Sequence, residues 1–548
     1  MKFTIAGNIV DIFNRSIYPG TLHIADGQIK KVIKKNTGEK RFIIPGLVDA
    51  HVHIESSMLI PSEFARIAVR HGTVAVLSDP HEIANVLGKE GVKFMIGNGE
   101  KVPFKFYFGA PSCVPATDYE TSGAKLELQD IDELFRNYKL KYLSEVMNFP
   151  GVIHDDKKIM DKILLAKSLG KKIDGHAPGL RGKNLIKYAL EGITTDHECA
   201  NIDEAREKIG LGIKILIREG SAAKNFNELI PLIKDHPDNI MFCSDDLHPD
   251  DLIRGNINLL IRKGLKEGYD LFDLIKASSL NPVLHYDLDI GLLREGDKAD
   301  FIVLDALKEM KVKETFINGI KVFENGNTII NKIEEKKINI FNCTPLSIED
   351  ILVKASSNNI RVIKAYDGQL FTDELKMVMK TKNGFVHSDI KQDVLKIVVY
   401  NRYHKAHPAV GFINGFGLKK GAIATSVAHD SHNIIAIGVE DKEIIKAINR
   451  LIEIKGGIVV LNDKGYNELA LPIGGLMTDN DGDDIARKYQ QLNEQVKKMG
   501  SHLNAPFMTL SFMALLVIPK IKISDKGLFD VEKFSPVTLF PDIESNEC

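Results

Sequence analysis

Short apolar runs alternate with amphipathic segments between residues 45 and 298, and this alternation predicts repeated strand-then-helix units. Eight runs have the length and residue types of buried strands: 47–53, 73–78, 105–110, 141–147, 172–176, 193–197, 214–218 and 240–245. Helical segments separate them, such as residues 62–71, whose apolar side chains share one face. Eight such units predict an α/β fold, a (β/α)8 barrel of the TIM type. A doubly wound open sheet is the alternative, but it would not gather every strand end around one axis.

Both flanks of this region alternate apolar and polar residues, which predicts short strands. Residues 3–10, 20–25 and 28–33 precede the region, with a hairpin turn at Asp26-Gly27. Residues 299–323 follow it, with a turn at Asn318-Gly319. Each flank is too small to bury a core alone. We therefore expect one composite β-sandwich from residues 1–44 and 299–340, with a barrel domain, residues 45–298, inserted into it.

Residues 345–548 contain segments with the two-residue period of strands and segments with the 3.6-residue period of helices, which predicts a C-terminal α/β or α+β domain. The sequence does not define its start sharply, and we place the boundary near Asn342. Its predicted strands are 360–365, 395–400, 421–427, 434–439 and 457–461, and its predicted helices are 441–454 and 484–499. The longest apolar run of the chain, residues 505–519, lies here and is shorter than the roughly 20 residues that span a bilayer. We interpret this run as buried core.

Composition narrows the class of protein. The 548 residues suffice for two or three domains, and a net charge of −2 gives no basic surface for nucleic acid or an anionic membrane. The N-terminal residues lack the long apolar core of a signal peptide. The cysteines are scattered without a Cys-x-x-Cys pair, which is typical of reduced thiols; they are Cys113, Cys199, Cys243, Cys343 and Cys548. These features favour a cytoplasmic protein that binds neither nucleic acid nor membrane.

His51 and His53 end the first predicted strand, shortly after a Pro45-Gly46 turn. Residues two apart on a strand point to the same face, so both imidazoles project together. Neutral imidazole is a common metal ligand, although a lone His-x-His pair is more often incidental. Asp49 lies on the same face, and we expect it to orient an imidazole from behind.

Further metal-binding side chains stand at the ends of later predicted strands: Glu145 on the fourth, His176 on the fifth, His197 on the sixth and Asp245 on the eighth. In a barrel of this type all these ends meet at one face. A carboxylate at the end of an apolar strand needs a partner, whereas His176 alone would fit a loop residue and Asp245 alone a helix cap. Taken together with His51 and His53, these residues predict a metal site. No Gly-rich dinucleotide or phosphate loop follows any predicted strand.

The ligand order and several longer strings make the chain similar to the amidohydrolase superfamily and, within it, to the adenine deaminase family. The strings are Asp79-Pro-His-Glu-Ile-Ala-Asn85, Ala110-Pro-Ser-Cys-Val-Pro-Ala-Thr117, Glu145-Val-Met-Asn-Phe-Pro-Gly151, Gly175-His-Ala-Pro-Gly179, Thr195-Asp-His-Glu198, Ser244-Asp-Asp-Leu-His-Pro249, Asn401-Arg-Tyr-His404, Ser426-Val-Ala-His-Asp-Ser-His-Asn433 and Leu471-Pro-Ile-Gly-Gly-Leu-Met477. The resemblance covers almost the whole chain. Glu145 stands where many binuclear members of the superfamily have a carboxylated lysine, and the adenine deaminase subgroup implies a glutamate there.

The resemblance implies hydrolysis of adenine to hypoxanthine and ammonia, in purine salvage. It implies a binuclear metal site of Mn(II) or Fe(II), with Zn(II) as an alternative. His51, His53, Glu145 and Asp245 would hold one metal, and Glu145, His176 and His197 the other. A metal-activated hydroxide would attack, and Asp245 would carry its proton to the leaving amine. The implied partners are adenine and water, and the implied assembly is a homodimer or a higher homo-oligomer.

Three further residues are expected at the site on the basis of the resemblance. Glu82 and His81 would be catalytic groups, as ring-nitrogen donors or proton shuttles, with loop hydrogen bonding as the alternative. Ser112 and Glu82 would bind the substrate. The C-terminal residues His429, Asp430 and His432 have the types and spacing of a second metal site, but a hydrogen-bonded turn that shapes or covers the pocket is the interpretation that we favour.

Two other functions remain open at this point. One is a different amidohydrolase activity, such as that of a cyclic amidase or of another nucleobase deaminase. The other is a metal-dependent binding protein without catalysis, which an acid-base aspartate beside a binuclear site argues against. Spacing and composition do not select adenine, so the substrate rests on the resemblance alone.

Overall fold

The computed structural model describes residues 2–541, so Cys548 lies outside the described part of the chain. Its centre is formed by eight parallel strands, numbered here 1 to 8 in chain order: Leu47–Val52, Thr73–Ser78, Lys105–Phe108, Tyr142–Val146, Lys172–Gly175, Thr195–Asp196, Lys214–Arg218 and Ile240–Cys243. Strands 1 to 3 form one sheet and strands 4 to 8 form another. All eight predicted runs contain one of these strands, and the predicted α/β fold is confirmed.

Helices follow the parallel strands along the chain. They are Pro61–Ala68, His81–Leu87, Lys89–Gly99, Leu128–Tyr138, Phe149–Ile153, Lys157–Ser168, Gly182–Leu190, Ile202–Gly210, Phe226–Leu229, Pro249–Leu252, Ile257–Lys266, Leu271–Ile275 and Asn281–Tyr286. Leu128–Tyr138 illustrates why they form: Ile131, Leu134 and Phe135 recur at helical spacing and are buried, and Glu127 and Asp130 make a capping box.

The two parallel sheets also touch at their edges. An isolated parallel bridge pairs Ala110 with Leu143, beside strands 3 and 4, and a second pairs Val52 with Asp245, beside strands 1 and 8. The backbone N–H of Asp245 donates to the His51 carbonyl at 2.9 Å, and the N–H of His53 donates to the Asp245 carbonyl at 3.3 Å. The chain segments that follow strands 1 and 8 are therefore held side by side.

One sheet combines strands from both flanks of the parallel region. Its spatial order is Asn327–Thr328, Ile320–Glu324, Val312–Ile317, Phe301–Leu304, Phe42–Pro45, Lys2–Asp11, Ser16–Ala25 and Gln28–Lys34. Phe42–Pro45 pairs in parallel with Lys2–Asp11 and antiparallel with Phe301–Leu304, which joins the two flanks. Pro45 ends this strand and Leu47 begins parallel strand 1, so Gly46 is the passage from one sheet to the next.

The C-terminal region is built on a second sheet of eight strands. Their spatial order is Asp373–Val378, Asn359–Lys364, Ala409–Asn414, Val394–Tyr400, Ile434–Gly438, Ala422–Thr425, Gly457–Asn462 and Gly465–Ala470. All five predicted strands are present, and the first, third and last of this order were not predicted. The helix Asp441–Glu453 buries Ile444, Ile448 and Leu451 against this sheet.

Two more helices and two small sheets complete this region. The helices are Gly482–Lys498 and Pro506–Ser511. The small sheets contain Val353–Lys354, Thr381–Lys382 and Phe385–Val386, and Ile521–Ser524, Gly527–Asp530 and Ser535–Pro536. Residues 505–519, predicted as buried core, form the helix Pro506–Ser511 and the loop after it, and most of their apolar side chains are buried. Within residues 2–541, no helix has the length and apolar character needed to cross a membrane.

The C-terminal region packs directly on the parallel strands. The backbone N–H of Ile60 donates to the Thr478 carbonyl at 3.2 Å, and that of Thr478 donates to the Met58 carbonyl at 2.9 Å. Gly474 has a φ of +64°, and a Cβ there would lie 2.3 Å from the Ile83 side chain, so a larger residue would clash. The C-terminal region therefore contacts the segments that follow parallel strands 1 and 2.

Candidate active site

The histidines at the end of strand 1 face each other as predicted. Their Nε2 atoms lie 3.2 Å apart, and both side chains are buried. Oδ1 of Asp245 approaches both, at 3.4 Å from His51 Nε2 and 3.3 Å from His53 Nε2. Burial and the neighbouring His197 lower the pKa of His51 to about 4, so this imidazole is neutral at pH 7 and keeps a lone pair for a metal.

Glu145 joins the remaining predicted ligands. Its Oε1 lies 3.3 Å from His53 Nε2, while its Oε2 lies 2.7 Å from His176 Nδ1 and 3.3 Å from His197 Nε2. The carboxylate thus turns one oxygen to each side of the cluster, which is the arrangement that a bridging ligand requires. The structure brings all six predicted ligands together: His51, His53, Glu145, His176, His197 and Asp245.

The donor set fits divalent metal ions. Imidazole nitrogens and carboxylate oxygens are ligands for zinc, iron and manganese, and groups of three lie within 4.8 Å of one another. His176 Nε2 is buried without a hydrogen-bond partner among the described residues. Burial lowers the pKa of His197, but hydrogen bonds with Glu145 and Glu198 outweigh burial and raise it to about 10. The same negative field that attracts a proton there favours a cation in the cluster.

Two charged residues at the site were not predicted, namely Glu198 and Arg218. The guanidinium of Arg218 donates to Asp245 Oδ2 at 2.6 Å and to Glu198 Oε2 at 3.0 Å. Asp245 therefore has one oxygen facing the histidines and the other fixed by Arg218. Arg218 ends parallel strand 7 and Glu198 directly follows His197, so both occupy the same strand-end positions as the predicted ligands.

Asp49 supports the site from behind through backbone and side-chain contacts. Its Oδ1 accepts the Ser244 N–H at 3.0 Å, and its Oδ2 accepts the Ser244 hydroxyl and, at 3.1 Å, the Asn256 amide. The carboxylate receives these hydrogen bonds rather than one from an imidazole ring. It thereby fixes the segment that leads into Asp245.

Of the three other predicted site residues, His81 and Glu82 line the cavity and Ser112 does not. His81 and Glu82 line the cavity beside the ligands, and His81 Nδ1 lies 3.1 Å from Asp79 Oδ2. Ser112 is not among the residues that line this cavity, and its hydroxyl donates to the Glu145 carbonyl at 2.5 Å. The Ser112 side chain thus holds the backbone of the candidate bridging residue.

The C-terminal region supplies part of the cavity lining. Its contribution consists of Leu370, His429, Asp430, Phe512, Leu515 and Ile518. We call its apolar members the cap; together with Met147 they form the apolar part of the cavity lining. Residues 512–518 were predicted only as buried core, because their apolar composition gives no indication of which surface they cover.

Lys208 braces the two strands that carry His176 and His197. Its ammonium group is fully buried and lies 2.8 Å from the Ala177 carbonyl, 2.9 Å from Glu204 Oε1 and 3.0 Å from Asp196 Oδ2. Asp196 in turn accepts the backbone N–H of Ala177 at 3.1 Å. The buried ammonium group of Lys208 therefore joins the segments at the ends of strands 5 and 6.

We expect Lys208→Met to destabilise the protein by about 3–5 kcal/mol, because it leaves buried carboxylates without their cation. Denaturant unfolding measures this change. Arg206→Met removes an exposed cation from the same helix and should cost no more than about 0.5 kcal/mol. Equal losses in the two variants would contradict the bracing role.

Comparison with known proteins gives matches along nearly the whole chain. The model of the amidohydrolase family matches residues 42–322, and that of the adenine deaminase C-terminal domain matches residues 369–535. An adenine deaminase of Salinibacter ruber is 51% identical over 543 residues, which cover 99% of both chains. Those of Methanosarcina mazei and Borreliella burgdorferi are 51% and 49% identical, over 98% and 97% of this chain and 99% and 98% of their own.

Proposed function

The chain belongs to the adenine deaminase family of the amidohydrolases, and we propose on that premise that it hydrolyses adenine to hypoxanthine and ammonia. The membership confirms the family prediction made from the strings of the sequence. The observation that carries the proposal is the convergence of Glu145 with four histidines and Asp245 at the carboxyl ends of the parallel strands.

A binuclear metal site is the second part of the proposal. His51, His53, Glu145 and Asp245 would hold one divalent ion, and Glu145, His176 and His197 the other. The family favours Mn(II) or Fe(II), with Zn(II) as an alternative that the same ligands accept. When bound, the metals would supply the Lewis acidity that makes water a nucleophile at neutral pH.

The residues of the chain supply proton transfer and orientation. Asp245 would accept a proton from the attacking water and return it to the exocyclic amine of adenine, because a neutral amine leaves far more readily than its anion. Arg218 holds Asp245 Oδ2 at 2.6 Å and so fixes the carboxylate during both transfers. His81 and Glu82 stay proposed members of the catalytic set, and Glu82 a proposed substrate-binding residue. Ser112, expected to bind the substrate, lies outside the cavity lining and instead donates its hydroxyl to the Glu145 carbonyl, so its proposed role is to hold that backbone.

The apolar part of the cavity lining suits a purine base. The same cavity that the charged cluster lines is also lined by Phe512, Leu515, Ile518, Leu370 and Met147. A cavity that combines apolar side chains with a few polar groups is typical of sites that bind an aromatic ring and exclude bulk water. This supports a role of the C-terminal region in covering the substrate.

We further propose that the two parallel sheets form one (β/α)8 barrel, which the bridges at Ala110 and Val52 support. In this organisation residues 45–298 are the catalytic domain, residues 1–44 and 299–340 a composite β-sandwich, and residues 345–548 the C-terminal domain. A cytoplasmic location, a place in purine salvage and a homo-oligomeric state are proposed from the family alone.

Metal removal tests the function. We expect a chelator to abolish ammonia release from adenine, and Mn(II) or Fe(II) to restore it, because the bound metal would supply the Lewis acidity that activates water. An ammonia assay and the absorbance change from adenine to hypoxanthine measure this. Full turnover by metal-free protein would refute the mechanism. Turnover of a cyclic amide but not of adenine would favour another amidohydrolase activity, and bound metal without any turnover would favour a binding protein.

A further inference from the structure

A buried turn of the C-terminal region, residues 426–433, contributes the side chains of His429 and Asp430 to the cavity lining. It is held on the parallel-strand region, because the Asn433 amide donates to the Thr121 carbonyl at 2.8 Å and the Ser431 hydroxyl donates to Glu120. Within the turn, the His432 N–H donates to the Ala428 carbonyl at 2.7 Å. His429 lines the cavity together with the candidate metal ligands. The turn is thus a rigid part of the site rather than a distant surface loop.

Two histidines of this turn contact the carboxylate of Glu82. Nδ1 of His429 lies 2.6 Å from Oε1, and Nε2 of His432 lies against Oε2. His432 Nδ1 accepts the Ala428 N–H at 3.2 Å, so the proton of the neutral ring must be on Nε2. This nitrogen therefore faces Glu82 as an N–H and has no lone pair for a metal. The cluster is a carboxylate held between two imidazoles, which argues against a second metal site here.

The proton of the cluster belongs to His429. Burial lowers its pKa, but the carboxylates of Glu82, Asp246 and Asp430 outweigh burial and raise it to about 9. Burial lowers the pKa of His432 to about 4. At neutral pH the first imidazole is charged and the second is neutral.

The His429 ring is fixed in place with one nitrogen unused. It stacks on Phe512 with centroids 4.5 Å apart and an interplanar angle of 11°. Its Nδ1 is occupied by Glu82, and Nε2 makes no hydrogen bond to any residue between positions 2 and 541. A charged, oriented N–H without a protein partner, on a residue that lines a ligand cavity, is suited to a ring nitrogen of the substrate.

We propose that His429 is the acid that protonates N1 of adenine, the ring nitrogen bonded to the carbon under attack. When water oxygen bonds to C6, the electron pair of the C6=N1 bond moves to N1, and N1 takes the proton from His429 Nε2. This proton stays on N1 of hypoxanthine. Of the two water protons, one leaves with the amine as ammonia through Asp245, and the other leaves as the carbonyl forms and recharges His429 through solvent.

The inference rests on the proposed deamination, and it gives Glu82 and His432 positioning roles. Glu82 holds His429 Nδ1, and the His432 ring lies against the second oxygen of Glu82. The reaction would then need both halves of the chain, because Glu82 follows parallel strand 2 while His429 belongs to the C-terminal region.

Variants of His429 test the acid role in the metal-loaded full chain. His429→Gln keeps an amide N–H but cannot deliver a proton, and we expect kcat to fall by about 10²- to 10⁴-fold with metal content unchanged. Ser431→Ala is the matched control, because Ser431 helps to hold the same turn through its hydrogen bond to Glu120 but does not line the cavity. We expect this control to keep most of its activity. Equal losses in both variants, or a His429→Gln enzyme with near-normal kcat, would overturn the inference.

Substrate analogues test the contact with N1 without relying on one variant. Wild-type enzyme should bind 1-deazaadenine, which lacks N1, about 10- to 100-fold more weakly than 7-deazaadenine, because it loses a hydrogen bond from a charged donor. His429→Phe retains a ring on Phe512 but no N–H, and it should remove this preference. An unchanged preference in His429→Phe, or none in the wild type, would contradict the proposal. Failure of the wild type to release ammonia from adenine would instead refute the proposed function.

Discussion

Replacing Glu145 with glutamine should release bound metal and remove nearly all adenine turnover. The carboxylate offers one oxygen to His53 at 3.3 Å and the other to His176 at 2.7 Å, and an amide can accept through only one of these atoms. Loss of a group that only hydrogen-bonds a metal ligand already costs about 10- to 100-fold. We therefore expect the fall in kcat/KM to exceed about 100-fold, together with a loss of metal measured by elemental analysis.

Glu120→Gln is the matched control for this experiment. Burial and the nearby Asp430 raise the pKa of Glu120 to about 8, so this buried carboxyl group is already protonated at neutral pH. The same chemical change at Glu120 removes no charge and should leave metal content near that of the wild type. A Glu145→Gln enzyme with normal metal content and normal rate would exclude Glu145 from the metal site.

Asp245→Asn should reduce adenine turnover by about 10²- to 10⁴-fold, the usual contribution of a positioned acid or base. An amide cannot carry the proton from water to the leaving amine, and it leaves Arg218 facing a neutral group at the 2.6 Å contact. The loss should be smaller on 6-chloropurine, since chloride leaves without a proton. Parallel rate measurements on the two substrates separate proton transfer from metal binding.

Asp174→Asn provides the comparison for Asp245→Asn. Asp174 is a buried aspartate held by Thr195 and Tyr286, and it does not line the cavity. It should lower stability while leaving the ratio of adenine to 6-chloropurine turnover unchanged. If Asp245→Asn loses both activities in equal proportion along with its metal, Asp245 acts as a ligand only.

The parallel strands could be predicted because a buried strand is a short run of apolar residues that is visible in the sequence. Strands 2 and 7 begin and end at the predicted residues, since each is a run of mostly apolar residues between polar segments. Strand 6 is shorter than predicted, Thr195–Asp196 in place of residues 193–197, because only these two residues pair with the neighbouring strands. The three C-terminal strands that were missed are partly exposed or edge strands, whose pattern is weaker.

The six candidate ligands could be selected from the sequence for a similar reason. In parallel α/β folds the carboxyl ends of the strands meet on one side. The position of a His or Asp at the end of a predicted strand therefore predicts that its side chain lies on that side. The same rule would have found Arg218 and Glu198, which stand at strand ends but have side chains less typical of metal ligands. The partner of Asp49 was not predictable, because Ser244 lies 195 positions away and no local pattern couples the two residues.

Period and position along the chain therefore specified the parallel strands, their order and the six side chains at their carboxyl ends. The tertiary structure alone decides which residues from distant parts of the chain contact those side chains. Glu82 and His429 are 347 positions apart, and Lys208 and the cap at Phe512 also act through contacts between segments distant in sequence. A local pattern records which face of a segment avoids water, and this suffices for strands and helices. Which two buried faces come together depends on packing of the whole chain, and that packing places a C-terminal histidine beside a carboxylate of the catalytic region.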